Sequence, residues 1–297
     1  MSILWKAGKR LFRVEKRSTI FGILKNQNNM NALELLEIIG SGETSKVQFK
    51  RTLDNQDSFA AEMIVPGTTV NDIDKNKVKE YLNKIIDSEK VELNENVYRN
   101  LNILKDNSLS LGGLLFFAKE PQKYRPAFCI KAVSFVGNDL GGNLYRDSQD
   151  IVGTIPDMFN QAVSFFTRNL HYIQKDKNFN SVGDLEISKI ALEELLQNAL
   201  THRDYTKNSP IRLFIFDNRV EIISPGALPN NLTIENIKLG NAVVRNNLVV
   251  SFSSKLMNYR GVGTGVARAL KEQPNIEFEN DVEGEQFKVV IPRPQKP

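Results

Sequence analysis

Apolar positions recur at three- and four-residue spacing over Ala191 to Tyr205, ALEELLQNALTHRDY, where Leu192, Leu195, Leu196, Ala199 and Leu200 form one face of a helix. Glu194, Asn198 and His202 follow at successive intervals of four, a polar row beside that seam. A carboxylate, a carboxamide and an imidazole are costly to bury without partners, so the row faces water or a bound group. The same period predicts a helix over Ile155–Asn169 with Met158, Ala162, Phe165 and Phe166 inward. Further helices are expected at Lys75–Ile86, capped by Asp72 or Asp74, and at Asn96–Leu104, Leu232–Leu239, Arg245–Tyr259 and Val266–Lys271. Alternating or β-favouring runs predict strands at Val47–Lys50, Ser110–Phe117, Ala127–Val136, Ile276–Asn280 and Gln286–Ile291. Ile211–Phe216 and Arg219–Ile223 read as a hairpin turning at Asp217-Asn218, and Gly137–Arg146 reads as a turn.

The first residues are patterned differently. Leu4, Ala7, Leu11 and Val14 make a rough helical stripe with basic residues between, as in a helix that lies on a membrane surface or on nucleic acid. Residues 1–29 hold seven Lys and Arg against Glu15, a net +6, so the remainder of a chain of net charge +4 carries −2. The bulk of the protein is therefore no basic nucleic-acid binder on charge alone. Asn26–Asn29 are all polar, and Met30 opens a helix at Leu33–Ile39, so 1–29 reads as a basic extension to the folded chain.

At 297 residues the length allows two domains and a sizeable core. The single Cys129 excludes a disulfide framework and a cysteine-rich zinc site, and with only His171 and His202 a histidine-rich metal centre is excluded too. No apolar run reaches the length of a membrane span and no signal-peptide pattern opens the chain, which gives a cytoplasmic expectation.

Two groups of motifs carry resemblances. GETSKVQFK, Gly42 to Lys50, resembles the opening of the AlbA-like, Schlafen-type domain, in which a Glu is followed closely by a (V/I)xFK strand. Phe59–Val65 starts the helix that family continues with, but Pro66-Gly67 ends it and the glycine-rich hairpin is missing, so the region reads as a shortened form. Further on, NALTHRDY (Asn198–Tyr205), RVEIISPGALP (Arg219–Pro229), RNNL (Arg245–Leu248) and GVGTG (Gly261–Gly265) stand in the order of the divergent GHKL, or HATPase-type, domain. That domain belongs to prokaryotic transcriptional regulators with a Schlafen-type N-terminus, a family to which RecG-like helicase labels are attached. The resemblance covers about residues 100 to 293.

The resemblance implies an α/β sandwich with helices on one face of a mostly antiparallel sheet, preceded by a small mixed α+β N-terminal region. Its domain division is 1–29 basic extension, 30–95 shortened AlbA-like region, 96–170 connecting α/β region and 171–297 divergent GHKL-type domain. The implied ligand is ATP with Mg2+. Glu194 would polarise an attacking water and Asn198 would give the metal an oxygen. Gly261, Gly263, Thr264 and Gly265 would let phosphate approach a helix start, with His202, Arg203, Ser224, Gly226 and Arg245 around the pocket. The superfamily's adenine-reading Asp is absent near Gly226, where Ser224-Pro225 stand instead.

Each feature also has a plainer account. Glu and Asn on a helix usually mark a solvated face, Gly-x-Gly-Thr-Gly often serves packing, and Arg203 can simply pair Asp204. His202-Arg203-Asp204 imitates a kinase catalytic loop, but Ser209 stands where that loop has Asn. No GxxxxGK[ST] loop exists anywhere, which excludes a helicase motor. The leading expectation is an ATP-binding regulatory protein with slow hydrolysis at most. The alternatives are a DNA- or RNA-binding transcriptional regulator that uses the fold as a non-catalytic scaffold, and a shortened product without activity. A homo-oligomer is compatible with each.

Overall fold

The computed structural model describes residues 3–7, 10–15, 48–51, 60–85, 91–174, 183–229, 232–257 and 263–294. The chain divides into two compact units, Met1–Gln56 and Asp57–Pro297. In the first, β1 (Ile3–Ala7), β2 (Arg10–Glu15) and β3 (Gln48–Arg51) form an antiparallel sheet in that order. The helical stripe expected over Leu4 to Val14 is thus two paired strands, with Trp5 opposite Phe12 and Lys6 opposite Leu11. Gly8 interrupts that stripe, and Ile, Trp, Phe and Val favour a pleated strand over a short helix. The strand expected at Val47–Lys50 is β3. The helix expected at Leu33–Ile39 lies outside the described residues.

The second unit opens with a 3-10 turn at Ala60–Glu62; the helix expected over Phe59–Val65 goes no further, because Ile64 forms an antiparallel bridge with Ser110. Helix α1 (Lys75–Asn83) begins at Asp74, whose carboxylate accepts from the Asn76 amide at 2.9 Å; a second 3-10 turn ends at Asp72. Helix α2 (Glu95–Asn100) leads to a short ladder of β4 (Leu104–Lys105) with β5 (Ser108–Leu109). The strand expected at Ser110–Phe117 is instead helix α3 (Leu111–Phe117), started by a Gly113 N–H bond to the Ser110 hydroxyl at 2.8 Å. Every residue of α3 is buried, so it has no polar face to give it a helical period, and such a run cannot be told from a buried strand by pattern. A single turn, α4 (Pro121–Tyr124), follows.

The main sheet has six strands in the order β12-β13-β11-β10-β6-β7. These are β6 (Ile130–Phe135), β7 (Tyr145–Ile151), β10 (Ile211–Ile215), β11 (Arg219–Pro225), β12 (Glu277–Asp281) and β13 (Gln286–Pro292). A separate two-residue ladder pairs β8 (Tyr172–Ile173) with β9 (Asp184–Leu185). All neighbours in the main sheet are antiparallel except β6 and β10, where Ile130 pairs with Ile211 in parallel. The expected hairpin is β10–β11. Strand β7 was not expected: YRDSQDI is mostly polar because it forms an exposed edge.

Helix α5 (Ile155–Asn169) runs over the residues its pattern predicts. A reciprocal cap between Thr154 and Asp157 starts it, with Pro156 in the first turn. Helix α6 (Lys189–His202) starts at Ser188. Both helices pack their apolar seams on one face of the sheet. Ile211, Leu213, Ile215, Val220 and Ile222 from the strands join Met158, Phe165, Leu192, Leu195, Leu196 and Leu200 in one core. Each fully buried Leu or Phe there contributes roughly 1.5–3 kcal/mol. The opposite face carries a small cluster of Phe214, Phe216 and Ile223 against Val133 and Phe135. The expected α/β sandwich, with helices on one face of a mostly antiparallel sheet, is the fold observed. No helix among the described residues is long and apolar enough to cross a membrane.

Candidate functional site

Helix α6 is buried on more than one side, because α8 (Asn247–Leu256) and α9 (Gly265–Glu272) pack against it in addition to the sheet and α5, and α7 (Ile234–Lys238) packs against α9. Gln197 is thereby tied to the end of α8, its amide donating to the Met257 carbonyl at 2.9 Å. Between α6, the end of β11, the α7–α8 connection and the start of α9 lies an open cleft. Glu194, Asn198 and His202 line it from α6, Ser224 and Gly226 from β11, and Gly263, Thr264 and Gly265 from the start of α9. Ile222, Leu228, Ile237, Val266, Phe278, Phe287 and Val289 supply an apolar wall.

At one end α9 meets α6 closely. A β-carbon on Gly265 would lie 2.7 Å from Glu194 Oε2 and 3.1 Å from Asn198 Nδ2, so a larger residue would displace one of them. Glu194 is 9% exposed, and its Oε1 is 2.5 Å from Arg268 Nη2, one turn into α9. Asn198 Nδ2 is buried and has no hydrogen-bond partner. An amide left so is a standing cost, and lining a cleft it is positioned for a ligand. Thr264 occupies the N-cap position of α9 but makes no side-chain cap bond, so its hydroxyl leaves the first N–H groups of the helix uncapped.

At the other end, Gly226 holds φ +97° after the turn that ends β11. Arg245 is buried beside it and donates to the His202 carbonyl at 3.4 Å and to the Ala227 carbonyl. Burial, with the Arg245 guanidinium next in importance, lowers the His202 imidazole pKa to about 4, so the ring is neutral at neutral pH. Ser224 is 6% exposed and donates to the Ala199 carbonyl at 3.2 Å, joining the sheet to α6.

Arg203 does not line the cleft. Its guanidinium is 2% exposed and stacks on Phe128 and Tyr205, with centroid distances of 4.6 and 5.1 Å. It donates to the Lys207 carbonyl at 3.0 Å and to the Ser209 carbonyl, and so fastens the loop after α6. The two rings and two carbonyls hold that side chain outside the cleft lining, with its Nε buried and without a hydrogen-bond partner, so it does not stand at the pocket edge where it was expected. Gly261 lies outside the described residues. The other sequence-derived residues, Glu194, Asn198, His202, Ser224, Gly226, Arg245, Gly263, Thr264 and Gly265, all line the one cleft.

The sequence reading missed Arg268, and the Phe278, Phe287 and Val289 wall. Arg268 had a weak signal, lying one helical turn after Thr264, whereas the wall comes from strands that only the finished sheet brings near.

Residues 208–291 match a family model described as "Putative ATP-dependent DNA helicase recG C-terminal". The match supports an ATPase-like domain over that segment, which holds most of the cleft lining but not α6. A search of curated proteins gave no match. Among solved structures, the DIP2311 protein from Corynebacterium diphtheriae is similar at 18% sequence identity with a TM-score of 0.60. The alignment covers 84% of this chain and 52% of that one, so the chain spans about half the length of that structure. At this identity the likeness is one of fold.

Proposed function

We propose that the cleft binds a nucleotide, ATP with Mg2+, and that binding rather than rapid turnover is its purpose. The observation that carries this is the unpartnered Asn198 amide beside the uncapped start of α9, with the Gly265 backbone against it. Helix N-termini favour anions, and a glycine there admits phosphate oxygens close to the backbone. The ATPase-like match supports the same reading.

The residues suit the metal as well. Among the described residues no group of three or more His, Cys, Asp or Glu is placed to hold an ion. Mg2+ needs no such group beside phosphates, since it keeps several waters and takes few protein oxygens. Asn198 would hold it through its carboxamide oxygen, and the ion would neutralise phosphate charge. Glu194 is the nearest carboxylate for polarising a water, but Arg268 engages it. The apolar wall of Ile222, Leu228, Phe278 and Val289 would take the base. With the Ser224 hydroxyl donating to Ala199, the base has no charge-assisted acceptor where an Asp would stand.

A regulatory role, with DNA or RNA meeting the seven basic residues of 1–29, completes the proposal. No motor function is included, because no phosphate loop of the GxxxxGK[ST] form is present. The test is calorimetric titration of ATP and ADP with Mg2+ into the full chain and its Asn198→Ala variant. Binding to the first and at least about tenfold weaker binding to the second are expected. Absence of binding at millimolar nucleotide overturns the reading.

A further inference from the structure

We infer that Arg268 is the residue by which the cleft distinguishes a nucleoside triphosphate from a diphosphate, exchanging Glu194 for the terminal phosphate. This rests on the nucleotide reading above. The Arg268–Glu194 pair, 2.5 Å long, stands at the same end of the cleft as the unpartnered Asn198 amide and the uncapped start of α9. Its carboxylate is almost buried, while the Arg268 side chain keeps 36% of its surface exposed and can move. Arg268 Nε is buried without a partner, so the guanidinium is incompletely satisfied by Glu194.

A guanidinium offers a planar fork of donors that matches two phosphate oxygens, and a terminal phosphate carries more charge than a carboxylate. With phosphate at the leading N–H groups of α9, Arg268 has a stronger acceptor one turn away and releases Glu194. With a diphosphate, Arg268 keeps Glu194. The same exchange also governs when Glu194 is available to a water, because Arg268 occupies its Oε1 until then. Arg268 is in this sense a specificity-determining residue, and its effect is read in binding without any turnover.

The experiment is titration of ATP and ADP with Mg2+ into wild type, Arg268→Gln, Arg268→Lys and Glu194→Gln, each first checked for an unaltered unfolding midpoint. Wild type should prefer ATP over ADP roughly tenfold or more, the range of a charge-assisted hydrogen bond. Arg268→Gln should bring the two affinities within about twofold by weakening ATP alone, and Arg268→Lys should restore part of the difference. Glu194→Gln should tighten ATP and leave ADP unchanged, because the guanidinium no longer has to leave a carboxylate. If Arg268→Gln weakens both nucleotides equally, or leaves the preference intact, the inference is overturned and the nucleotide reading stands. If wild type binds neither nucleotide, the nucleotide reading falls and takes the inference with it.

Discussion

Gly226 lies directly against the Arg245 guanidinium: a β-carbon at residue 226 would stand 2.4 Å from Nη1, and 2.5 Å from Asp204 Cβ. The turn that ends β11, the loop that ends α6 and the segment that opens α8 therefore meet at one backbone position. Only a residue without a side chain lets them do so. The φ of +97° adds a conformational requirement to the steric one.

Gly226→Ala should consequently lower stability by roughly 1–3 kcal/mol, from strain and the displaced Arg245 together. Urea denaturation followed by circular dichroism checks this. An unchanged midpoint would show that Arg245 and Asp204 move aside freely.

Asn198→Ala separates ligand binding from folding. Its Nδ2 is buried without a partner, so truncation removes an unsatisfied group and should leave the unfolding midpoint level or slightly raised. The upward shift in midpoint that Mg-ATP gives the wild type should vanish in the variant. Differential scanning fluorimetry with and without nucleotide reads both effects.

His202 makes stability depend on pH. Its folded pKa of about 4 lies below the ordinary 6.5 because burial, and then Arg245, disfavour the imidazolium. The unfolded chain therefore takes up a proton first as pH falls, so this contribution is whole above about 6.5 and declines until about 4. Urea midpoints measured from pH 7.5 to 4 should fall across that window, and His202→Gln should flatten the slope. A slope unchanged in the variant would assign the effect to other groups.

Arg293 and Glu186 form a buried pair, Nη2 to Oε1 2.7 Å, with side chains 5% and 4% exposed. Arg293 also donates to the Phe216 carbonyl, and the His171 amide donates to Glu186 at 2.7 Å. Arg293→Ala leaves a buried carboxylate and should destabilise by about 3–5 kcal/mol. The double variant Arg293→Met, Glu186→Leu should recover most of that loss, and chemical denaturation of all three proteins decides it.

The parts of the fold that were legible in the sequence are those with a wet face beside a dry one, or with a clear turn between β-favouring runs. Helix α5 has the first, and the β10–β11 hairpin, covered on both faces, has the second at Asp217-Asn218. Helix α3 lacks it because every residue is buried, and β7 lacks it because its edge position tolerates polar residues on both sides. At the N-terminus, Leu4, Ala7, Leu11 and Val14 satisfied a helical period by coincidence, while Gly8 and the β-favouring Ile3, Trp5, Phe12 and Val14 agreed with the pairing of Trp5 and Phe12. In the candidate site, spacing alone aligned Glu194, Asn198 and His202, and motif order brought Gly226 and Gly263 to them. Sequence could not show that Arg203 turns to Phe128 and Tyr205, since Phe128 comes from the segment before β6, far away in the chain, and only the finished fold brings it to the loop after α6. Nor could it show Glu194 paired with Arg268, because that contact depends on how α9 crosses α6.

The place of β13 in the sheet has a temporal consequence. This strand inserts between β11 and β12, and Phe287 and Val289, which it carries, form part of the apolar wall. During synthesis from the N-terminus, α6 and β11 emerge well before it, so a growing chain presents the polar row of α6 without the surface that would enclose a ligand. Any ligand selected by the whole cleft can therefore act only on a chain in which β13 has already been made.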